Sequence, residues 1–160
     1  MALHCIHYTL RYHAGMRLKN FEISGEIELR TGNLFWDIHN FAAFVGLELI
    51  PASNALARKW AVPNETNPWG CVENRFSGMT LYFDNLRFLT VSARDAEMPL
   101  TEDSCISAIL KVDTNSQENE LYMRTRTTWE LNDPFRLALQ FQSRRVIEIE
   151  SDSVELIPHP

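Results

Sequence analysis

The chain has 160 residues and a formal net charge of −6, with 45% hydrophobic and 22% charged residues. That length buries the core of one ordinary domain, and the composition is too apolar for a disordered chain. The acidic balance argues against a nucleic-acid surface, which needs clustered Lys and Arg against phosphate, and no apolar run approaches the roughly 20 residues that cross a bilayer.

At the N-terminus Ile6, Tyr8, Leu10 and Tyr12 alternate with Cys5, His7, Thr9, Arg11 and His13, the period-two signature of a half-buried strand. Ala14-Gly15 suits a turn. Residues 21–29 alternate again, Phe21, Ile23, Gly25, Ile27 and Leu29 against Glu22, Ser24, Glu26 and Glu28, and a hairpin is expected to close near Thr31-Gly32-Asn33. From Leu34 the period changes. Asp37 suits the cap of a short helix in which Ile38, Phe41, Ala42 and Val45 share a face, ending at Gly46. A strand over Leu34, Trp36 and Ile38 is the competing reading. Ser53 is a second N-cap, and residues 54–62 hold helix formers with Leu56 and Trp60 four apart.

Residues 63–77, PNETNPWGCVENRFS, carry two prolines, a glycine and three asparagines, which rule out continuous regular structure. They also carry Trp69, Cys71 and Phe76, so they read as a loop packed on the domain. Beyond it nearly everything is β. Met79, Leu81 and Phe83 alternate, Asp84-Asn85 suits a turn, and residues 88–91 continue as strand. Residues 93–103 are charged, contain Pro99 and read as an exposed loop, although Thr101 with Glu102 and Asp103 behind it equally suits the cap of a helical turn. Ile106, Ala108, Leu110 and Val112 alternate, residues 113–119 have turn chemistry, and residues 121–131 alternate strictly. After Asn132-Asp133-Pro134, residues 135–141 and 146–149 form a last hairpin, with a short strand over 154–157.

Roughly eight strands with turns every 8–12 residues point to a mainly β (α+β) class. The expected architecture is an antiparallel β-sandwich or barrel with one or two short helices inserted between residues 34 and 62, as a single domain over residues 1–160. Residues 81–98 and 139–156 also match at an offset of 58, with Leu81/Leu139, Phe83/Phe141, Arg87/Arg145 and Glu97/Glu155 identical. That match reads as two similar strand–turn–strand units.

Candidate chemistry is sparse. His7 and His13 share a strand face but lie roughly 20 Å apart by strand rise, and His4 faces away from His7, so no metal site is expected. Cys5, Cys71 and Cys105 are odd in number and widely spaced, which implies reduced thiols and a cytoplasmic chain. The first residues lack a basic stretch followed by an apolar run, so no secretory leader is expected. There is no G-x-S-x-G, H-E-x-x-H, C-x-x-C, G-x-G-x-x-G or P-loop pattern, so neither a catalytic residue nor a cofactor is assigned.

Charge and aromatic patterning give the remaining candidates. Asp95, Glu97, Glu102 and Asp103 gather in the 93–103 loop. Glu148, Glu150 and Asp152 alternate on the strand face opposite Ile147 and Ile149. Tyr122, Arg124 and Arg126 fall on one face of the expected 121–131 strand. Cross-strand pairing of those arginines with Glu148 and Glu150 is the plain structural expectation; the Tyr and Arg composition is also that of interaction hot spots. Trp36, Trp60, Trp69 and Trp129 suit a core of this size as well as they suit ligand platforms.

In size, acidity and lack of catalytic fingerprints the chain is similar to many small bacterial immunity and interaction proteins. No motif carries that likeness, so no residue role transfers from it. The expected function is a non-catalytic, cytosolic protein-binding module of the immunity or antitoxin kind. It would engage a basic protein partner through an acidic face that includes Asp95, Glu97, Glu102 and Asp103. Neither nucleic acid nor a membrane is an expected partner. Two alternatives stand beside it. One is a small-molecule or carbohydrate-binding protein, or a hydrolase, with a pocket beneath residues 63–77 lined by Trp69 and Cys71. The other is a structural subunit that self-assembles through exposed strand edges.

Overall fold

The computed structural model describes residues 15–40, 42–61, 76–130 and 133–160. The strand expected over residues 5–13, and the 63–77 loop up to residue 75, lie outside the described residues. In chain order the described strands are β1 (Arg17–Leu18), β2 (Glu22–Ser24), β3 (Glu28–Thr31), β4 (Leu34–Asp37), β5 (Ala43–Ile50), β6 (Ala55–Ala61), β7 (Gly78–Val91), β8 (Ile106–Asp113), β9 (Phe135–Phe141) and β10 (Val146–His159). The class is mainly β, as the alternation implies. Seven strands form one sheet in the order β5-β6-β7-β10-β9-β8, with β1 added parallel to β10, and β2-β3-β4 form a second, antiparallel sheet.

The spine is the antiparallel pair β7 and β10, which runs from Ile147 opposite Val91 to His159 opposite Gly78. Period-two sequence gives each half of this ribbon an apolar inner face. Leu56, Phe83 and Val154 make one cross-strand row, and Trp60, Met79 and Pro158 another. At the far end Ile147 and Ile149 sit opposite Leu139 and Leu137, with Ile109 beyond Leu139. Almost all of these side chains are buried in one apolar cluster that also takes Leu29, Trp36 and Ile38 from the small sheet. Each large apolar side chain so buried contributes roughly 1.5–3 kcal/mol.

The ribbon is not straight. Its register shifts between Glu150 and Ser151, opposite Arg87, and Asn85 two residues before Arg87 has φ +54°. Asn tolerates this left-handed backbone better than other non-glycine residues. β6 pairs with β7 only before the shift, and β9 pairs with β10 only on the other side of it. Two arms, β5-β6 and β9-β8, therefore leave opposite ends of a kinked ribbon. They meet again where the Phe44 N–H donates to the Ser104 carbonyl at 2.8 Å. The sheet is barrel-like, with the small sheet laid against the β8 edge: the Ile109 N–H donates to the Glu26 carbonyl at 2.6 Å.

Several local expectations are corrected. Residues 38–45 and 54–62 are not helical where described; the only helix among the described residues between 34 and 62 is the 3-10 turn Pro51–Ser53. Leu56 and Trp60, four apart, satisfy period two as well as period 3.6, and pairing with β7 decides for strand. Asp37 does cap, but it caps a turn, accepting the His39 and Asn40 N–H groups at 3.0 and 2.8 Å. Residues 21–29 are two strands, split at Gly25, φ +70°. Asp84-Asn85 is the kink and not a turn, so residues 81–91 are one strand while 139–156 span the β9-β10 hairpin. The apparent repeat is not structural. Residues 121–131 form the 3-10 turn Leu121–Arg124 and then an unpaired extended stretch as far as residue 130. Leu121 packs outside the sheet on a second apolar cluster of Ala108, Leu110, Val112 and Ala138.

The closeness of β6 and β7 makes a testable demand. A Cβ added at Gly78 would lie 2.3 Å from the Trp60 carbonyl oxygen, whereas one at Gly46 meets nothing within 4 Å. Gly78→Ala is expected to cost about 1–3 kcal/mol, and Gly46→Ala to change stability by less than about 1 kcal/mol. Urea denaturation midpoints at constant slope measure both, and equal costs would contradict the β6-β7 packing.

Candidate functional site

The outward face of β10 is where the acidic row lies, and its carboxylates are engaged within the chain. Arg124 holds Glu148 with two parallel bonds of 2.7 and 2.9 Å. Arg136 bonds Glu150 at 3.1 Å and lies 3.8 Å above the Phe88 ring. Arg87 stands 3.5 Å from both Glu150 and Asp152. Of the two arginines expected to pair across strands with these glutamates, Arg124 reaches Glu148 from a 3-10 turn and Arg126 pairs with Asp113 and Asp133 instead. Fork-to-carboxylate pairing fixes orientation as well as charge, so this row anchors the 121–124 segment across the sheet. Tyr122 is half exposed beside Met123 on that segment.

The 93–103 loop is likewise tied down, and its carboxylates divide into two kinds. Asp103 lies between Arg94 at 3.2 Å and Arg145 at 3.5 Å, and Asp95 pairs with Arg144 at 3.1 Å. The Asp95 N–H donates to the Ser143 carbonyl, which fastens the loop to the β9-β10 hairpin. The Ser143 hydroxyl, with Arg94 and Arg145, holds the Asp103 carboxyl below the usual carboxylate range. Glu97 and Glu102 make no ion pair among the described residues. The loop closes in the 3-10 turn Leu100–Asp103, on which Leu100 is 76% exposed.

Arg126 is committed too, to Asp113 and to Asp133 at 3.0 Å, with its guanidinium 5.1 Å above Trp129. Burial pushes the Asp113 carboxyl up, but the Asn115 N–H and Arg126 outweigh it and the group titrates below its usual range. Arg126 and Trp129, with Ile23, Glu26, Ile109 and Lys111, line a cleft of about 390 Å³ between the β2-β3 turn and β8. Lys111 was not singled out by sequence. Register puts it opposite Leu137, its ammonium lies 4.9 Å from the Phe135 ring, and burial pushes its pKa down. Trp69 and Cys71 lie outside the described residues.

Among the described residues the Thr80 hydroxyl lies 2.6 Å from His159 Nε2, and the Cys105 thiol approaches His39 without making a catalytic pair. Cys105 Sγ is 3.7 Å from His39 Nδ1, but Nδ1 is also 2.6 Å from the Ile106 carbonyl oxygen. A carbonyl only accepts, so Nδ1 carries the proton and cannot take one from the thiol. Burial, with Glu102 and Asp37 nearby, pushes the thiol up, away from the reactive thiolate. No group of three or more metal-ligating side chains occurs among the described residues. Among them, too, no helix is long and apolar enough to cross a membrane.

A different feature stands out at the sheet's ends. The small sheet is bonded to the β8 edge at Ile109, and β1 pairs with Ser153 and Val154 in the half of β10 that β9 leaves. β5 has β6 on one side, and from Val45 to Ile50 nothing described pairs with the other. Val45 and Leu49 on this strand are 65% and 52% exposed. Because Phe44 bonds Ser104, the start of the open edge adjoins the turn that carries Leu100 and Glu102. The helix expected to end at Gly46 hid the start of this edge, and no element was expected over residues 47–50.

The ion pairs set an acid limit on stability. Asp103 and Asp113 have folded-state values below their ordinary 3.8, so their stabilising contribution is complete above that value and is lost as pH falls through the lowered one. Asp103→Asn and Asp113→Asn are expected to lower the urea midpoint at pH 7, with the deficit unchanged down to about the ordinary value of 3.8 and narrowing from there toward about pH 2. A deficit that stays constant over that range would show that the carboxylate charge is not what the arginines stabilise.

Comparison with family models, with curated proteins and with solved structures finds no significant match. The functional reading rests on geometry alone.

Proposed function

We propose that this chain is a non-catalytic, cytosolic protein-binding module whose partner adds a strand to the open edge of β5. The observation that carries the reading is the contrast between the two ends of one sheet: β8 has the small sheet bonded against it at Ile109, while β5 offers, among the described residues, unpaired backbone groups between exposed Val45 and Leu49. An exposed, apolar strand edge is an aggregation hazard unless it is used. Strand addition uses it, with the backbone supplying affinity and alternate side chains supplying selection. Glu97 and Glu102, the loop carboxylates without ion pairs, give the corner next to Ser104 a negative bias that favours a basic partner. A module of the immunity or antitoxin kind, which acts by covering a surface, needs no further chemistry.

The cleft at Lys111 favours a second reading, a small anionic ligand seated between Lys111 and Trp129. It competes with the first only if it is filled while the edge stays bare.

The test is affinity capture from the source organism with wild-type bait and two variants. Val45→Lys with Leu49→Lys is expected to abolish capture of the specific partner while the fold, by circular dichroism, is kept. Glu97→Gln with Glu102→Gln is expected to weaken binding roughly three- to tenfold, in keeping with two rim charges. Undiminished capture by the edge variant would overturn the reading. Light scattering that shows concentration-dependent self-association, lost in the same edge variant, would assign the edge to a second copy instead.

A further inference from the structure

Inside the barrel, β6 carries the sequence Leu56-Ala57-Arg58-Lys59-Trp60, and period two places Leu56, Arg58 and Trp60 on one face. That face is the inner one. Arg58 sits in register between Leu47 of β5 and Leu81 of β7 and is 0% exposed. Among the described residues none of its three guanidinium nitrogens has a hydrogen-bond partner and no ion pair to it occurs; the Phe44 ring lies 5.6 Å away, Cζ to centroid. Phe44 also packs edge-on against Trp60 at 5.6 Å. The Trp60 indole N–H is buried and unpartnered as well. One aromatic ring thus brings together two side chains with hydrogens to donate and nothing to accept them.

The imbalance has a sign. Every unsatisfied polar atom at this place is a donor, and Arg58 is a cation, so the missing party is an acceptor with negative charge. We propose that Arg58 and Trp60 form an internal oxyanion site that takes the carboxylate or phosphate group of a small ligand. The planar fork of a guanidinium suits either group with two parallel bonds. Burial pushes the Arg58 guanidinium down to about 9, the mark of a cation held without its counter-charge. Side chains around it are apolar, which favours a ligand whose body is apolar behind the charged head. Access runs through β5, which from Val45 to Ile50 is bonded along one edge only among the described residues.

The experiment is thermal denaturation of the full chain with sodium benzoate, with sodium phosphate, and with sodium chloride at matched ionic strength. Benzoate or phosphate is expected to raise the melting temperature in a saturable way, and chloride is not. A response to benzoate alone assigns a carboxylate, a response to phosphate alone assigns a phosphate, and a response to both supports the shared oxyanion chemistry. Arg58→Met is expected to melt higher than wild type without ligand, because an unpaired buried charge is replaced by an apolar chain of similar length, and to lose the anion response. Trp60→Phe keeps the ring, removes the donor and is expected to weaken the apparent affinity about fivefold. Absence of any anion-specific shift in wild type, or an equal shift in wild type and Arg58→Met, overturns the proposal. Because these readouts involve no protein partner, they stand or fall independently of the β5 edge.

Discussion

The pairing of β7 with β10 is the constraint on which the other elements depend. Both strands are 14 residues long, and neither could bury its apolar face alone. Antiparallel alignment puts Phe83 against Val154 and Leu81 against Leu156, and these rows define what counts as inside for every strand added later. The kink at Asn85 then decides the architecture. A straight ribbon of this length would carry its neighbours in one open sheet, with both faces wet. Bending it lets the β5-β6 arm and the β9-β8 arm converge, so that Phe44 of one packs at 5.0 Å against Phe141 of the other. The β5-β6 turn is fastened at the same point, since the Leu86 N–H donates to the Asn54 carbonyl at 2.7 Å and the Asn54 amide donates to Asn85 and Leu86. Two asparagines in left-handed backbone thus hold the corner of the barrel.

Much of the fold was legible because a half-buried antiparallel strand has a two-residue period that survives without tertiary information. β8, β9 and the first part of β10 are examples, and so is the β3-β4 hairpin at Gly32. The failures share a cause. Leu56 and Trp60 fit both periods, so local sequence could not choose between helix and strand; the choice belongs to β7, a distant partner. Asp37 and Asn85 were read correctly for chemistry and wrongly for consequence, because a side chain that stabilises a left-handed or capped backbone serves a helix start, a turn or a kink equally well. The strict alternation of residues 121–131 misled for another reason: Leu121, Arg124, Arg126 and Trp129 are each held by a side-chain contact, and backbone pairing is not needed to keep the segment in place.

The same distinction governs the candidate site. Sequence can count charges but not see which are spent. Asp95, Asp103, Arg124 and Arg126 all looked available and are all engaged within the chain, which makes them fasteners of the loop and of the 121–130 segment. Partly exposed pairs of this kind contribute modestly to stability, yet they fix where the chain runs. What remains uncommitted is smaller and differently placed: Glu97, Glu102, the cleft lysine and the open edge of β5. An edge is invisible in sequence because it is defined by the absence of a neighbour, and neighbours are set by topology.

Arg58 shows the limit of local reading from the other side. Once β6 is known to be a strand, the row Leu56–Arg58–Trp60 is anomalous on its face, a guanidinium set where period two demands an apolar side chain. Leaving such a charge buried and unpaired costs on the order of several kcal/mol, comparable to the whole net stability of many domains, about 5–15 kcal/mol. A chain carrying that cost has its core poised for an acceptor, and the wall over the charge is β5. A strand added to β5 would stiffen that wall, and an anion beneath it would change the wall's packing from within. Any coupling between two ligands that act on one element is equal in both directions. The edge and the buried arginine, argued from separate observations, therefore meet on one strand, β5.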